Sequence, residues 1–386
     1  MHKLRDFFAP VTEEKYVNKD FFQTTQIGRT IDLHTLDHFP SLKFSELVIF
    51  NVNEYEGSKN TSLDNNCKIR ESLYSLHVEN SPRISDLGTL KLMPKRQESF
   101  KIIEEVCSVL IDNGAIPVII GGGHDISYAV YKSYVSLKRF ATITVVDKEF
   151  DIGMQEDNLA SYSYLSKIIS HKPSYLFHYN NIGYQSFFVS NIAVEMLENM
   201  NFDHVRLGNL KNRFEDIEPL MRDTDFLSFD ISSIQHSYAP ANVYSSPNGL
   251  NGEDACKIAR YAGLSDKLTC FGLFEYNPAL DQNNQTANLL SQMIWYFIEG
   301  YKIRKNELNP NTNNCIKYTV AFDDGHHEIV FFKSKKSGRW WMKVPFKKEK
   351  SSKVEFCLIA CSYSDYKTAM QGDIPERWIK NYTKLS

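Results

Sequence analysis

The chain has 386 residues, a mass of 44.6 kDa and a formal net charge of −3 at pH 7. That length predicts one large domain with attached segments, or two domains. Apolar residues make up 42% and charged residues 24%, which is typical of a globular protein and excludes a collagen-like, coiled-coil or disordered chain. The weak net charge gives no general reason to expect nucleic acid or a membrane as a partner.

The apolar runs and the cysteines bear on the compartment. No run approaches the roughly 18 to 20 apolar residues that a membrane helix needs, and the first residues lack the apolar stretch of a secretory signal. The seven cysteines include no C-x-x-C pair. We therefore expect a cytoplasmic protein with reduced thiols rather than a disulfide framework or a zinc ribbon.

Strand and helix patterns alternate through the middle of the chain. Buried-strand patterns occur at 47–52, 116–120, 141–146, 225–229 and 268–274. Helical patterns occur at 69–76, 96–112, 125–139, 160–170, 190–200, 252–263 and 286–304. Continuous apolar strands separated by helices predict an α/β fold with a parallel sheet covered on both faces.

Three regions follow from these patterns. We predict an N-terminal arm over residues 1–45, an α/β domain over 46–301 and a β-rich extension over 302–386. Within the extension, residues 333–350 combine many lysines with two adjacent tryptophans. Because that charge is local, we interpret this tract as a solvated strand face whose tryptophans pack on the body, and we expect no nucleic-acid binding.

Polar residues follow four of the predicted strands. His124, Asp147, Asp230 and Glu275 each come at or just beyond a strand end, and Asp151 lies one short turn after Asp147. Each has a common structural explanation when taken alone, such as capping a helix. Because the carboxyl ends of parallel strands meet at one edge of a sheet, the set predicts a site there. Histidine with carboxylates suits Mn²⁺, Zn²⁺ or Fe²⁺.

The segments around these residues resemble the motif series of the arginase, agmatinase and formimidoylglutamase family, the ureohydrolases. The motif-bearing segments are GGGHDISY (121–128), VVDKEFD (145–151), SFDISSI (228–234) and FEYNPALD (274–281). ISDLGTL (84–90) is similar to the family's D-L-G segment, and the likeness spans roughly 46–304. Gly123 and APANVYSSPNGL (239–250) are more similar to formimidoylglutamases than to arginases.

The resemblance implies a three-layer α/β/α sandwich with a mostly parallel, eight-stranded sheet. It also implies a two-manganese centre whose bridging hydroxide attacks the central carbon of a guanidinium or formimidoyl group. Two neighbouring cations lower the pKa of a shared water and stabilise the tetrahedral intermediate. A small amidine or guanidino amino-acid derivative is the implied partner, and a homo-oligomer is the implied assembly.

The sequence departs from the family pattern mainly at one of the two ions. All four residues that the resemblance assigns to one ion are present: His124, Asp147, Asp151 and Asp230. At the other ion, Glu149 stands where the family has histidine and Ser232 where it has aspartate. A neutral hydroxyl binds a divalent ion weakly, whereas Glu149 offers an anionic oxygen with a different reach. We expect one Mn²⁺, with the second weakly bound or absent.

Of the positions that would contact the substrate, some match the family pattern and others do not. Glu275 matches the position that binds the amidinium, but Gly153 and Ala160 stand where arginases carry an asparagine and a proton-transferring histidine. Two hypotheses follow. The first is a hydrolase of linear amidine C–N bonds, such as formimidoylglutamate, in which Asp147 and Asp230 hold the metal-bound hydroxide, Glu275 orients the amidinium and catalysis is impaired. The second is a non-catalytic protein that binds a metabolite or a protein partner.

The crowded carboxylates need a cation under either hypothesis. Like charges at close range raise one another's pKa and cost stability. We expect a bound metal, or otherwise an inward-turned side chain such as Lys148.

Overall fold

The computed structural model describes residues 2–58, 60, 68–153, 159–322, 327–347 and 354–385. The strands are β1 (Phe8–Ala9), β2 (Asp32–Leu33), β3 (Leu47–Asn51), β4 (Ile84–Leu90), β5 (Ile116–Ile120), β6 (Ala141–Val146), β7 (Leu176–Tyr184), β8 (Asp203–Arg206), β9 (Phe226–Asp230), β10 (Cys270–Phe274), β11 (Cys315–Phe322), β12 (His327–Ser334), β13 (Trp340–Lys347) and β14 (Val354–Cys361). The α-helices are α1 (His2–Arg5), α2 (Glu14–Val17), α3 (Ile27–Thr30), α4 (Ile69–Ser75), α5 (Arg96–Asp112), α6 (Ile126–Ser136), α7 (Tyr164–Ser170), α8 (Asn191–Asn199), α9 (Leu207–Asn212), α10 (Glu218–Arg222), α11 (Gly252–Leu264), α12 (Gln285–Lys302), α13 (Tyr363–Met370) and α14 (Glu376–Leu385). Short 3₁₀ helices span Lys19–Phe21, Phe214–Ile217, Ile231–Ser233, Pro278–Leu280, Gln282–Asn284 and Thr312–Asn314.

The main sheet contains eight strands that run parallel in the order β4-β3-β5-β10-β9-β6-β7-β8. Two short strands of the N-terminal arm extend it beside β4, with β1 antiparallel and β2 parallel. The predicted α/β fold with a mostly parallel sheet is confirmed. The arm therefore raises the strand number of the sheet from eight to ten.

Both faces of the main sheet are buried. Successive residues in its central strands point to opposite faces, so Ile49 joins one apolar core while Phe50 joins the other. The first core packs against α4, α11 and α12, and the second packs against α5, α6 and α7. Their continuous apolar sequences reflect this two-sided burial. No helix in the described ranges combines the length and apolarity needed to cross a membrane.

The C-terminal extension folds as an antiparallel sheet, β11-β12-β13-β14, with α13 and α14. The β-rich character predicted for residues 302–386 is confirmed by these four strands. Trp340 and Trp341 are both buried. The Trp340 ring stacks on Tyr366 in the core of the extension, and the Trp341 ring faces the α/β domain, so of the predicted pair it is Trp341 that packs on the body. Arg222 of α10 connects the two parts, because its guanidinium donates to the carbonyls of Trp340 (2.9 Å) and Cys361 (3.2 Å) and lies over the Trp341 ring.

Replacing Arg222 with methionine should destabilise the protein by about 2 kcal/mol, because two buried carbonyls lose a charged donor. The free energy of unfolding in urea measures this cost. Arg206→Met is the matched control, since Arg206 is an exposed residue of the same type, and it should change stability by less than about 0.5 kcal/mol. Equal effects of the two variants would contradict the role assigned to Arg222.

Candidate metal centre

Four parallel strands deliver the predicted site residues to one edge of the sheet. β5 leads into His124, β6 into Asp147 and β10 into Glu275, and β9 ends at Asp230. A glycine is required at position 122, two residues before His124. Gly122 has φ +81°, and an added Cβ would lie 2.8 Å from the Glu54 carbonyl oxygen. This tight turn lets the chain leave the sheet and directs His124 into the protein.

The structure brings His124 and three carboxylates together. The Nδ1 atom of His124 lies 2.9 Å from Asp151 Oδ2, 3.2 Å from Asp147 Oδ2 and 3.5 Å from Asp230 Oδ2. One potential ligand atom from each of His124, Asp147 and Asp151 lies within 4.8 Å of the others. His124, the turn that carries Asp147 and Asp151, and Asp230 are far apart in sequence, so only the fold assembles them.

The orientation of the His124 ring is fixed from behind. Its Nε2 atom lies 2.8 Å from Ser228 Oγ and 3.2 Å from Tyr164 Oη. These hydroxyls can accept a hydrogen bond from a protonated Nε2. In that tautomer the lone pair of Nδ1 points at the carboxylates. Histidines that bind metals commonly use the other ring nitrogen in this way.

Three buried atoms of the cluster face one another and have no hydrogen-bond partner outside the cluster: His124 Nδ1, Asp147 Oδ2 and Asp151 Oδ2. Unpartnered buried polar atoms are costly and need an explanation. One imidazole nitrogen with carboxylate oxygens is a donor set that suits Mn²⁺ or Zn²⁺. The residues present therefore fit a divalent metal ion.

The electrostatics of the cluster also call for a cation. Burial, with repulsion from Asp151, raises the pKa of Asp147 to about 7. Burial raises the pKa of Asp151 to about 6, although His124 opposes the shift. Burial and then the charge of Asp147 raise the pKa of Asp230 well above its usual range. Each carboxylate is thus destabilised in its charged form.

Lys148 does not neutralise these carboxylates. Its Nζ atom donates to the Tyr244 carbonyl at 2.6 Å and lies 4.7 Å from the centre of the Phe188 ring. Within the part of the chain that the structure describes, no lysine or arginine forms an ion pair with Asp147 or Asp230. Of the two ways to offset the crowded charges, the described geometry favours a bound metal.

The stabilisation that Mn²⁺ gives should be larger near pH 8 than near pH 6, because the ligands must lose their protons to bind it. Asp147 and Asp151 have raised pKa values of about 7 and about 6. Without metal, the stability contributed by these protonated carboxyls is lost as pH rises through those values. Melting temperatures with and without Mn²⁺ at both pH values test this, and an equal or larger increase at pH 6 would contradict it.

The two residues that differ from the family pattern at the second ion, Glu149 and Ser232, differ in burial. The Glu149 side chain is 45% exposed, and its nearest ion-pair contact is Lys148 Nζ at 3.9 Å. It is not part of the group of close ligand atoms found in the described residues. Ser232 is buried beside Asp230, and its backbone N–H donates to Asp230 Oδ1 at 2.6 Å.

The other altered positions have packing consequences. An added Cβ at Gly153 would lie 2.7 Å from Ser163 Cβ, so an asparagine does not fit there unless its neighbour moves. Ala160 is buried and lies beside Ser161. Each substitution is thus accommodated by its surroundings.

Glu275 is held in a strained conformation, and its carboxylate accepts three hydrogen bonds. Its φ is +67°, a region that non-glycine residues rarely adopt and that is common at functional sites. Its Oε2 atom accepts from Ser58 Oγ at 2.6 Å. Its Oε1 atom accepts from Ser161 Oγ at 2.7 Å and from the backbone N–H of His124 at 2.8 Å. The carboxylate therefore joins three loops.

The sequence reasoning missed several of these supporting residues. Ser228 could have been found, because it precedes Asp230 by two positions on the same strand and so lies on the same face. Ser58, Ser161 and Tyr164 lie in loops or at a helix start, where no periodic pattern marks them. Only the tertiary structure brings them to the site.

A sequence model of the arginase family matches residues 62–299. The chain belongs to the arginase family. This finding confirms the family resemblance given by the strand-end motifs.

Relatives and solved structures with similarity to this arginase-family chain include formimidoylglutamases. The Bacillus subtilis (strain 168) enzyme is 23% identical over 197 residues, which cover 49% of this chain and 62% of the relative, less than two thirds of its length. The Rhodococcus jostii (strain RHA1) enzyme is 23% identical over 250 residues, covering 58% and 75%. A crystal structure of Trypanosoma cruzi formiminoglutamase with Mn²⁺ has a TM-score of 0.62 at 17% identity and covers 69% of this chain and 96% of that one. At that identity the structural likeness shows the fold.

Proposed function

We propose that this protein is a Mn²⁺-dependent hydrolase of linear amidine C–N bonds, with formimidoylglutamate as the leading candidate substrate. The observation that carries the proposal is the convergence of His124 Nδ1, Asp147 Oδ2 and Asp151 Oδ2 as buried atoms with no hydrogen-bond partner outside the cluster. Relatives named formimidoylglutamase support the choice of substrate class. The crystal structure of Trypanosoma cruzi formiminoglutamase with Mn²⁺ supports the choice of metal.

His124, Asp147, Asp151 and Asp230 would hold the ion. A divalent cation supplies Lewis acidity and lowers the pKa of a water molecule that it binds. The protein's own contribution is positional. Ser228 and Tyr164 keep the His124 proton on Nε2, where it cannot compete for the Nδ1 lone pair.

Glu275 is assigned to the substrate amidinium. A carboxylate offers about four acceptor positions for hydrogen bonds. Ser58, Ser161 and the His124 N–H occupy three of them. The remaining position on Oε2 is available to an amidinium N–H, which would orient the carbon that is attacked.

Catalysis is proposed to be weaker than in a two-ion site. The half-exposed Glu149 adds no ligand to the group of close donor atoms, and Ser232 contributes no carboxylate. One ion still activates water, but the symmetrical clamp that two ions place on a transition state is lost. We propose one tightly bound Mn²⁺ per chain.

A second candidate is a non-catalytic protein that binds a metabolite or protein partner. The specific observation that favours it is Glu275, whose two oxygens already accept three hydrogen bonds within the protein. In that case the carboxylate serves to join loops rather than to receive a substrate.

Turnover by the Mn²⁺-loaded protein distinguishes the two candidates. We expect glutamate release from formimidoylglutamate at a rate above that of Asp230→Ala, which removes a proposed ligand. Arginine, agmatine and guanidinobutyrate should react more slowly. Metal per chain, measured by mass spectrometry after desalting, should be one. No product from any of the four compounds, with one ion still bound, would favour the non-catalytic candidate.

A further inference from the structure

A second cavity lies beside the metal centre but contains none of its ligands. Its volume is about 760 Å³. It is bordered by α5, α6, α7 and the two loops that carry Ser58 and Ser161, and it opens to solvent on the side of the exposed Lys101. The lining residues used below are Arg96, Phe100, Lys101, Tyr128, Lys132 and Lys167. Its walls come from separate segments, so the cavity is a product of the fold.

Three lysines from three helices face this cavity. Lys132 is shared with Glu104, whose carboxylate lies 2.7 Å from its Nζ. Lys101 and Lys167 form no ion pair with any residue in the described ranges. Glu56 is the acidic residue of the lining. Lys101 and Lys167 are therefore not ion-paired within the described residues, although they share the lining with Glu56.

Arg96 forms part of the cavity wall, and its guanidinium is already paired within the protein. Its guanidinium pairs with Asp125 and with Glu54 (3.0 Å) and donates to the Leu159 carbonyl at 2.6 Å. The same guanidinium lies 4.7 Å from the centre of the Phe100 ring. These contacts fix three loops and one helix against each other, so the cavity is preformed.

Part of the wall is apolar and aromatic, alongside the polar Ser58 and Gln97. Phe100, Leu159, Tyr128 and Tyr162 line it, and the Tyr128 hydroxyl lies 3.1 Å from His171 Nδ1. Preformed cavities that combine an apolar wall with a few charged groups are typical of small-molecule sites. The apolar wall suits a flat ring, and the two lysines suit an anion.

We propose that this cavity binds a small anion with a flat apolar body, such as an aryl carboxylate, sulfonate or phosphate. The anionic group pairs with Lys101 and Lys167, and the ring packs between Phe100 and Tyr128. The proposal does not depend on the enzyme being active.

Such a ligand would also act on the metal site through shared loops. Ser58 lines the cavity and donates to Glu275. Ala160 lines the cavity and precedes Ser161, the second hydroxyl donor to Glu275. An occupant that packs against both loops would stabilise the arrangement that holds the Glu275 carboxylate, which makes the cavity an effector site.

Isothermal titration of the full-length, Mn²⁺-loaded protein with benzenesulfonate and with sulfate tests the proposal, because both are weak metal ligands. We expect benzenesulfonate to bind at least about tenfold more tightly than sulfate. The double variant Lys101→Glu with Lys167→Glu should weaken binding at least about tenfold. The double variant Lys317→Glu with Lys335→Glu makes the same charge change on exposed residues of the C-terminal sheet and should leave binding unchanged.

Several outcomes would overturn the proposal. These are no benzenesulfonate binding at about 10 mM, equal affinity for sulfate, and equal weakening by both double variants.

Hydrogen exchange measures whether an occupant of the cavity stabilises the loops that hold Glu275. Benzenesulfonate should slow amide exchange in residues 56–58 and 159–163 of the wild-type protein, and the variant at Lys101 and Lys167 should show no slowing. Binding without slower exchange in those loops would overturn the effector role.

Discussion

Replacing Asp147 with alanine is expected to weaken Mn²⁺ binding by more than about 100-fold, since even supporting residues around metal ligands cost 10- to 100-fold. Asp147 Oδ2 is buried, lies 3.2 Å from His124 Nδ1 and has no hydrogen-bond partner outside the cluster. Its removal takes away a charge that the ion would offset. Titration calorimetry with Mn²⁺ and the Mn²⁺-dependent rise in melting temperature both measure the loss.

Glu149→Ala is the matched control for that experiment. Glu149 belongs to the same turn, but its side chain is 45% exposed and lies outside the group of close ligand atoms. We expect its removal to change Mn²⁺ affinity by less than about threefold, as is usual for an exposed side chain. If Glu149→Ala abolished binding as thoroughly as Asp147→Ala, Glu149 would have to turn inward as a ligand.

The sequence predicted the central strands and the long helices well, because their residues repeat with a clear period. The helix predicted over 96–112 and the strands predicted at 116–120 and 141–146 have these same bounds in the structure. Each packs against a large apolar core, so its pattern is unambiguous.

The missed strands of the main sheet have polar residues inside. In β7, Asn180 is buried, and its amide donates to the side chain of Thr144. In β4, Asp86 is fully buried and pairs with Arg70. Partners that are distant in sequence satisfy these groups, so the local pattern shows only polarity. β8 has four residues, too few for a period to appear.

The residues of the candidate site also fall into those that the sequence predicted and those that only the structure revealed. His124, Asp147 and Asp230 could be found from sequence because strand ends in a parallel sheet meet at one edge. The motif did not reveal which way Glu149 points, because side-chain direction in a short turn depends on its surroundings. In the structure the backbone N–H of Glu149 donates to Asp147 Oδ1 at 3.0 Å, while its side chain lies beside Lys148. The role of Glu275 as a junction of three loops also required the tertiary structure.

Restoring both altered positions, with Glu149→His and Ser232→Asp, should raise the metal content from one Mn²⁺ per chain to two. The imidazole would return a nitrogen ligand at position 149, and the new carboxylate would lie beside Asp230 in a buried setting. Formimidoylglutamate turnover should then rise about 100-fold, because two ions can clamp the transition state. Mass spectrometry of the desalted protein gives the stoichiometry, and steady-state kinetics give the rate.

The single variants provide the controls for this double change. Ser232→Asp alone adds a carboxylate next to Asp230, whose pKa is already raised by burial and by Asp147. The extra negative charge should lower the melting temperature without metal and increase the stabilisation by Mn²⁺. Glu149→His alone should leave the stoichiometry at one, since one added ligand does not complete the site. A double variant that still binds one ion would show that the turn from 147 to 151 directs position 149 away from the centre whichever residue it carries. The second ion would then be excluded by the backbone rather than by the two substitutions.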